Sequence, residues 1–132
     1  LDKSGVPVGK RSDSRKRILL AEDNKINQKT TKIMLEKQGF EVEVANNGQE
    51  AAEKYLTEKN YDIILMDIQM PVMTGYEATA EIRKKDGRVP IIALTAYAMN
   101  GDKEKCLENG MNDYLSKPYK MSELSEILKK YI

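Results

Sequence analysis

The chain has 132 residues, 40% of them hydrophobic and 33% charged, with a formal net charge of +1. This describes one soluble globular domain that buries about two-thirds of its unfolded surface, and the charge argues against nucleic acid or an anionic membrane as partner. Without a histidine, the chain excludes histidine triads, histidine metal ligands and phosphohistidine formation of its own; with Cys106 alone, it excludes an internal disulfide.

Residues 1–17 carry Gly5, Pro7, Gly9 and scattered Lys, Arg and Ser without apolar periodicity. That is the pattern of a flexible linker or an expression remnant, leaving 18–132 as the folded domain. The basic residues Lys10, Arg11, Arg15, Lys16 and Arg17 read as part of a solvated linker. The chain begins with Leu1, as a piece of a longer protein would, and nothing in it resembles a signal peptide or a membrane span. One thiol and no export signal point to the cytoplasm, and Cys106 reads as a buried, inert side chain.

The apolar run Ile18-Leu19-Leu20-Ala21 predicts a strand and ends in Glu22-Asp23. Asn24 or a neighbour caps a helix through Gln38, with Ile26, Thr30, Ile33 and Met34 on its apolar face, and Gly39 stops it. Glu41 to Ala45 alternates, as an edge strand would. After the turn Asn46-Asn47-Gly48, a second helix places Gly48, Ala51, Ala52, Tyr55 and Leu56 on one face. Ile63 to Met66 is an unbroken apolar run, suited to a strand buried on both faces, and it ends at Asp67 before Pro71 breaks the chain. Thr74-Gly75 leads into a helix carrying Tyr76, Ala80 and Ile82. Pro90 to Leu94 predicts the fourth strand, ending at Thr95. A short helix spans about Gly101 to Asn109. Asp113 to Ser116 predicts the fifth strand, ending at Lys117-Pro118, and Met121, Leu124, Ile127, Leu128 and Tyr131 make the last helix amphipathic. Met66, Met70, Met73 and Met99 read as packing residues. Five strands alternating with five helices imply right-handed crossovers and a parallel sheet covered on both faces.

In such a sheet every carboxyl end lies along one edge, where open α/β folds bind ligands. Glu22 and Asp23 end the first strand, Asp67 the third, Thr95 the fourth and Lys117 the fifth. Two carboxylates about 4 Å apart repel by roughly 4 kcal/mol at an effective dielectric of about 20, so three acids facing one lysine call for a cation. Oxygen ligands without histidine or thiolate select a hard ion, Mg²⁺ foremost. Metal, lysine and a hydroxyl around a carboxylate are the parts of phosphoryl transfer, with an acyl phosphate as product. The donor histidine must come from another protein.

From Ile18 to Ile132 the sequence resembles receiver domains of two-component signalling, in particular those of hybrid sensor histidine kinases. The motifs are Leu20-Ala21-Glu22-Asp23-Asn24, Met66-Asp67-Ile68-Gln69-Met70-Pro71, Leu94-Thr95-Ala96 and Tyr114-Leu115-Ser116-Lys117-Pro118. The resemblance implies a flavodoxin-like (CheY-like) doubly wound (βα)5 fold with strand order 2-1-3-4-5. It makes Asp67 the phosphoacceptor of a phosphorelay, assisting its own phosphorylation and dephosphorylation. Asp23, Asp67 and the Gln69 backbone carbonyl would hold Mg²⁺, with Glu22 acting through metal-bound water. Thr95 and Lys117 would contact phosphoryl oxygens, and Lys117-Pro118 would be cis. Thr95 and Tyr114 would switch the surface of the fourth helix, fifth strand and fifth helix. The implied partner is a histidine kinase or histidine phosphotransfer protein, and the implied setting is the cytoplasmic part of a sensor kinase, with the signal relayed by protein contacts. Glu22 stands where many members carry Asp, and Thr74 where Asp is frequent. Tyr97, two residues past Thr95, cannot serve as a carboxylate base, so slow self-dephosphorylation is expected, with Gln69 the one nearby amide.

Two other classes are weaker. A haloacid-dehalogenase-type phosphatase needs a second Asp two residues after its nucleophile, where Gln69 stands. A flavodoxin-like cofactor binder needs a phosphate loop after the first strand, where Glu22-Asp23 would repel the anion.

Overall fold

The computed structural model describes residues 15–58, 60–96 and 102–132. Ten elements alternate along the chain: β1 (Arg17–Ala21), α1 (Lys25–Lys37), β2 (Glu41–Ala45), α2 (Gly48–Glu58), β3 (Ile63–Asp67), α3 (Gly75–Lys85), β4 (Ile91–Thr95), α4 (Asp102–Glu108), β5 (Asp113–Ser116) and α5 (Met121–Tyr131). The strands form one parallel sheet in the order β2-β1-β3-β4-β5. β1 starts at Arg17, one residue inside the expected linker, and pairs Arg17 with Glu41 of β2. The rest of that linker, residues 1–14, lies outside the described residues, as do Tyr97 and Met99.

The continuous apolar runs follow from burial on both sides of the sheet, because successive strand residues face opposite ways. Leu19, Ala21, Ile64, Met66, Ile91 and Ala93 point into one core with α2, α3 and α4. Ile18, Leu20, Ile63, Leu65, Ile92 and Leu94 point into the other with α1 and α5. At about 1.5–3 kcal/mol for each large side chain withdrawn from water, these three central strands supply most of the drive for folding. Cys106 is buried in the first core, its Sγ 3.9 Å from the Tyr76 hydroxyl. Met66 and Met70 are buried and Met73 packs against them, as expected of packing residues.

Two helices are rotated from the expected phase. The face of α1 that meets the sheet carries Gln28, Thr31 and Leu35, whereas Ile26 is 75% exposed and Ile33 44% exposed. The polar pair turns inward because each side chain finds a partner: Gln28 donates to the Glu22 carbonyl, and the Thr31 hydroxyl lies 2.7 Å from that of Tyr119. In α3 the buried positions are Gly75, Ala78, Thr79 and Ile82, and Ala80 faces water. Its start is fixed by Thr74, which caps the helix reciprocally with Glu77. α2 buries Gly48, Ala51, Ala52 and Tyr55 as its spacing predicts. Leu124 and Leu128 are the buried anchors of α5, with Met121 39% exposed. Among the described residues no helix is long and apolar enough to cross a membrane.

Candidate functional site

The carboxyl edge gathers its polar residues through the backbone ladder, which runs one step past the strands. The Glu22 amide donates to the Ala45 carbonyl (3.0 Å), Ile68 to Leu94 (3.1 Å) and Lys117 to Thr95 (2.7 Å). The residues that follow each strand are therefore held in register with their neighbours. Glycine tightens this edge at two points. A Cβ on Gly75 would sit 2.4 Å from the Asp67 carbonyl oxygen, and one on Gly48 would sit 2.3 Å from that of Met73. With no Cβ there, the Gly75 amide reaches the Ile68 carbonyl at 2.8 Å and the loop after β3 folds back against the strand end. The Lys117-Pro118 bond is cis, as the resemblance implied.

Lys117 Nζ bridges two acids, 2.8 Å from Asp67 Oδ2 and 2.9 Å from Glu22 Oε1. Each carboxylate is also held by an amide: Asn24 N donates to Glu22 Oε2 at 3.0 Å, and Gln69 N to Asp67 Oδ1 at 3.3 Å. Glu22, Asp67 and Thr95 are buried, and Asp23 stands exposed at the rim. Oxygens of Glu22, Asp23 and Asp67 all lie within 4.8 Å of one another. Burial pushes the Asp67 carboxyl up to about 6 from an ordinary 3.8; the Lys117 hydrogen bond pulls it down, and the Glu22 charge pushes it up again. Burial pulls the Lys117 ammonium down, but its bonds to Asp67 and Glu22 more than offset this and hold it above its ordinary value. Three acids against one lysine leave room for a hard cation, and the all-oxygen donor set fits Mg²⁺.

Glu22, Asp23, Asp67, Gln69, Thr95 and Lys117 line a single polar cleft of roughly 200 Å³. Sites for drug-sized ligands occupy about 300–1,000 Å³, so this one suits an ion and a small anion. The same cleft is lined by Asn24, Asn27, Ile68 and Ala96. Asn24 caps α1 by accepting from Asn27 N at 3.0 Å. Tyr114 is not in the cleft; it lies half-buried in β5 against the core beside α4. Gln28, which contacts the site through the backbone, had no apolar signal to mark it as inward-facing. Its one sequence cue is the stretch from Asn24 to Gln28, polar except for Ile26, directly after two acids.

A doubly wound domain with an acid-lysine cleft at its strand ends defines a class, and comparison with known proteins identifies the family. Residues 18–129 match the response regulator receiver domain, and the chain belongs to that family. It is 48% identical over 124 residues to hybrid signal transduction histidine kinase I of Dictyostelium discoideum, covering 88% of this chain. It spans only 7% of that relative's length. The receiver domain of sensor histidine kinase PA1611 from Pseudomonas aeruginosa PAO1 superposes with a TM-score of 0.83 at 48% identity, over 89% of this chain and 98% of that one. That receiver has a magnesium ion coordinated in its active-site cleft. The receiver domain of the Saccharomyces cerevisiae regulator Ssk1, solved with the histidine phosphotransfer protein Ypd1, gives a TM-score of 0.81 at 36% identity, over 89% and 88% of the two chains.

Proposed function

We propose that this receiver takes a phosphoryl group onto Asp67 from a phosphohistidine of a partner protein, with Mg²⁺ as cofactor. One observation carries the reading: Lys117 Nζ lies 2.8 Å from Asp67 Oδ2 in a cleft where Asp23 and Glu22 bring further carboxylate oxygens within 4.8 Å. Asp23, Asp67 and the Gln69 carbonyl would hold the ion, with Glu22 behind them. When bound, Mg²⁺ supplies positive charge against the carboxylates and against charge developing on the phosphoryl oxygens. The chain's own residues do the rest. An Asp67 carboxylate oxygen attacks phosphorus, an O–P bond forms and the P–N bond to the donor imidazole breaks. That electron pair returns to the ring, which leaves as neutral imidazole when its other nitrogen carries a proton. Lys117 and the Thr95 hydroxyl face the incoming oxygens, and Gln69 N orients the nucleophile.

The phosphoryl donor or acceptor on this reading is a histidine kinase or a histidine phosphotransfer protein, the class to which Ypd1, solved with the receiver of its downstream regulator Ssk1, belongs. The rim supports a protein donor. Ile26 and Val72, each 75% exposed, belong to the segments that place Asn24, Asn27 and Gln69 in the cleft. Apolar side chains beside a charged site suit a docked surface. Phosphorylation would reach the α4-β5-α5 surface through Thr95 and Tyr114, which sit on paired strands where Thr95 aligns with Ser116 and Ala93 with Tyr114. We place the receiver, residues 18–132, in the cytoplasm as part of a hybrid histidine kinase, in keeping with a single cysteine, which leaves no internal disulfide possible.

The test is intact mass after incubation with acetyl phosphate or phosphoramidate and Mg²⁺. The wild type gains one phosphoryl group; Asp67→Asn and a chelator each abolish the gain. A folded wild type that gains nothing, even from a phosphorylated histidine protein, would overturn the reading.

A further inference from the structure

The three acids of the cleft are held very differently. Glu22 and Asp67 are each fixed by Lys117 and by a backbone amide. The Asp23 carboxylate is exposed and has no hydrogen bond or ion pair among the described residues. Its position depends on the backbone that carries it, and that backbone is clamped from α1. Gln28 is buried, and its Nε2 donates one proton to the Glu22 carbonyl and the other to Asn46 Oδ1 at 2.9 Å. Both partners are acceptors, so the carboxamide has one orientation.

Asn46 is oriented as firmly. Its backbone N and Nδ2 donate to Glu50 Oε1 at 2.8 and 3.0 Å, while Oδ1 also accepts from Lys25 Nζ at 2.6 Å. The Glu22 amide, on the other side of the same residue, donates to Ala45. The peptide joining Glu22 to Asp23 is therefore held by α1 and, through Asn46, by the loop before α2, while the peptide before it is held by β2.

We propose that Gln28 is a positioning residue of the metal pocket: its buried carboxamide, clamping the Glu22 carbonyl against Asn46, sets the peptide that presents Asp23 to Mg²⁺. The inference deepens the functional reading above and rests on it. Gln28 touches neither phosphoryl group nor ion. Outer partners that orient a ligand typically cost about 10- to 100-fold in metal affinity when lost.

The experiment is calorimetric titration of Mg²⁺ into folded protein at 25 °C, beside the Mg²⁺ dependence of phosphorylation from acetyl phosphate. Gln28→Met removes both donors, and Gln28→Glu keeps the shape while turning an acceptor toward two oxygens. Both should bind Mg²⁺ about 10- to 100-fold more weakly. Their phosphorylation rate at saturating Mg²⁺ should stay within a few-fold of wild type, because Asp67, Thr95 and Lys117 are untouched. A merely structural role would lower the melting temperature and leave the affinity of the folded protein unchanged. That result overturns the inference while the functional reading stands. Asn46→Ala cuts the far, half-buried end of the clamp and carries the same test if the Gln28 variants do not fold; a smaller loss of affinity supports the inference and an unchanged affinity overturns it. A wild type that binds no Mg²⁺ overturns the functional reading and this inference with it.

Discussion

Val72 shows what a single residue gives up near this site. Its φ of 71° lies in the left-handed region, which a β-branched side chain reaches only at a cost of about 1–3 kcal/mol. The side chain is also 75% exposed, so packing returns little of that cost. Val72→Asn should raise stability by about 1 kcal/mol, since Asn tolerates this conformation, and urea unfolding would show it as a higher midpoint with unchanged slope. An unchanged or lower midpoint would mean that the loop is not strained there. Asp67 carries a related cost in its charge. Because its folded carboxyl sits at about 6 rather than 3.8, the folded state binds the proton more tightly than the unfolded one. Its contribution to stability is therefore full below the unfolded value and is lost as pH rises through about 6. In chelator at pH 8, Asp67→Asn should be more stable than wild type by on the order of 2 kcal/mol, and the two should converge below pH of about 4. Thermal unfolding across that range measures the difference, and a gap that widens in acid would reverse the assignment.

At the level of elements, α5 is fastened to β5 by one carboxylate. Asp113 Oδ1 accepts from Tyr114 N at 2.9 Å, and Oδ2 accepts from the Tyr131 hydroxyl at 2.9 Å and from Lys130 Nζ at 3.2 Å. Burial pushes this carboxyl up, yet those three donors together hold it below the usual range. Here the sign is opposite to Asp67. The stabilisation is present above the unfolded value and is lost as pH falls through the lowered folded one. Asp113→Asn should cost about 1 kcal/mol at pH 7, and the deficit should shrink in acid as the wild-type carboxylate takes up its proton. A deficit independent of pH would assign the loss to packing. The elements also mark where the sequence could be read and where it could not. Strands buried on both faces announce themselves, so β1, β3 and β4 were legible to within a residue. The phase of α1 was not, because Ile26 and Ile33 follow an apolar spacing while Gln28 and Thr31 bury through tertiary hydrogen bonds that no local pattern encodes. Ala80 misled for a related reason: α3 takes its phase from the Thr74 cap and the glycine contact at Asp67.

Across the whole molecule, the candidate site was legible because parallel strands must deliver their carboxyl ends to one edge. Spacing alone placed Glu22, Asp23, Asp67, Thr95 and Lys117 together, and one cleft holds them all. The strand order was another matter; it came with the family resemblance, since several orders of five parallel strands would share that edge. That order also dictates when the charges can balance. The partners of the central ion pairs lie 95 and 50 residues apart, with both acids preceding the lysine. A chain emerging from its amino end makes the repelling pair long before it makes the ammonium that reconciles them. Until β5 docks, Glu22 and Asp67 confront each other without the Lys117 ammonium, so the last strand is also the step that eases the charge repulsion at the strand-end edge. On the functional reading above, the capacity to accept phosphate is thus a property of the completed receiver domain, acquired only when its last strand docks.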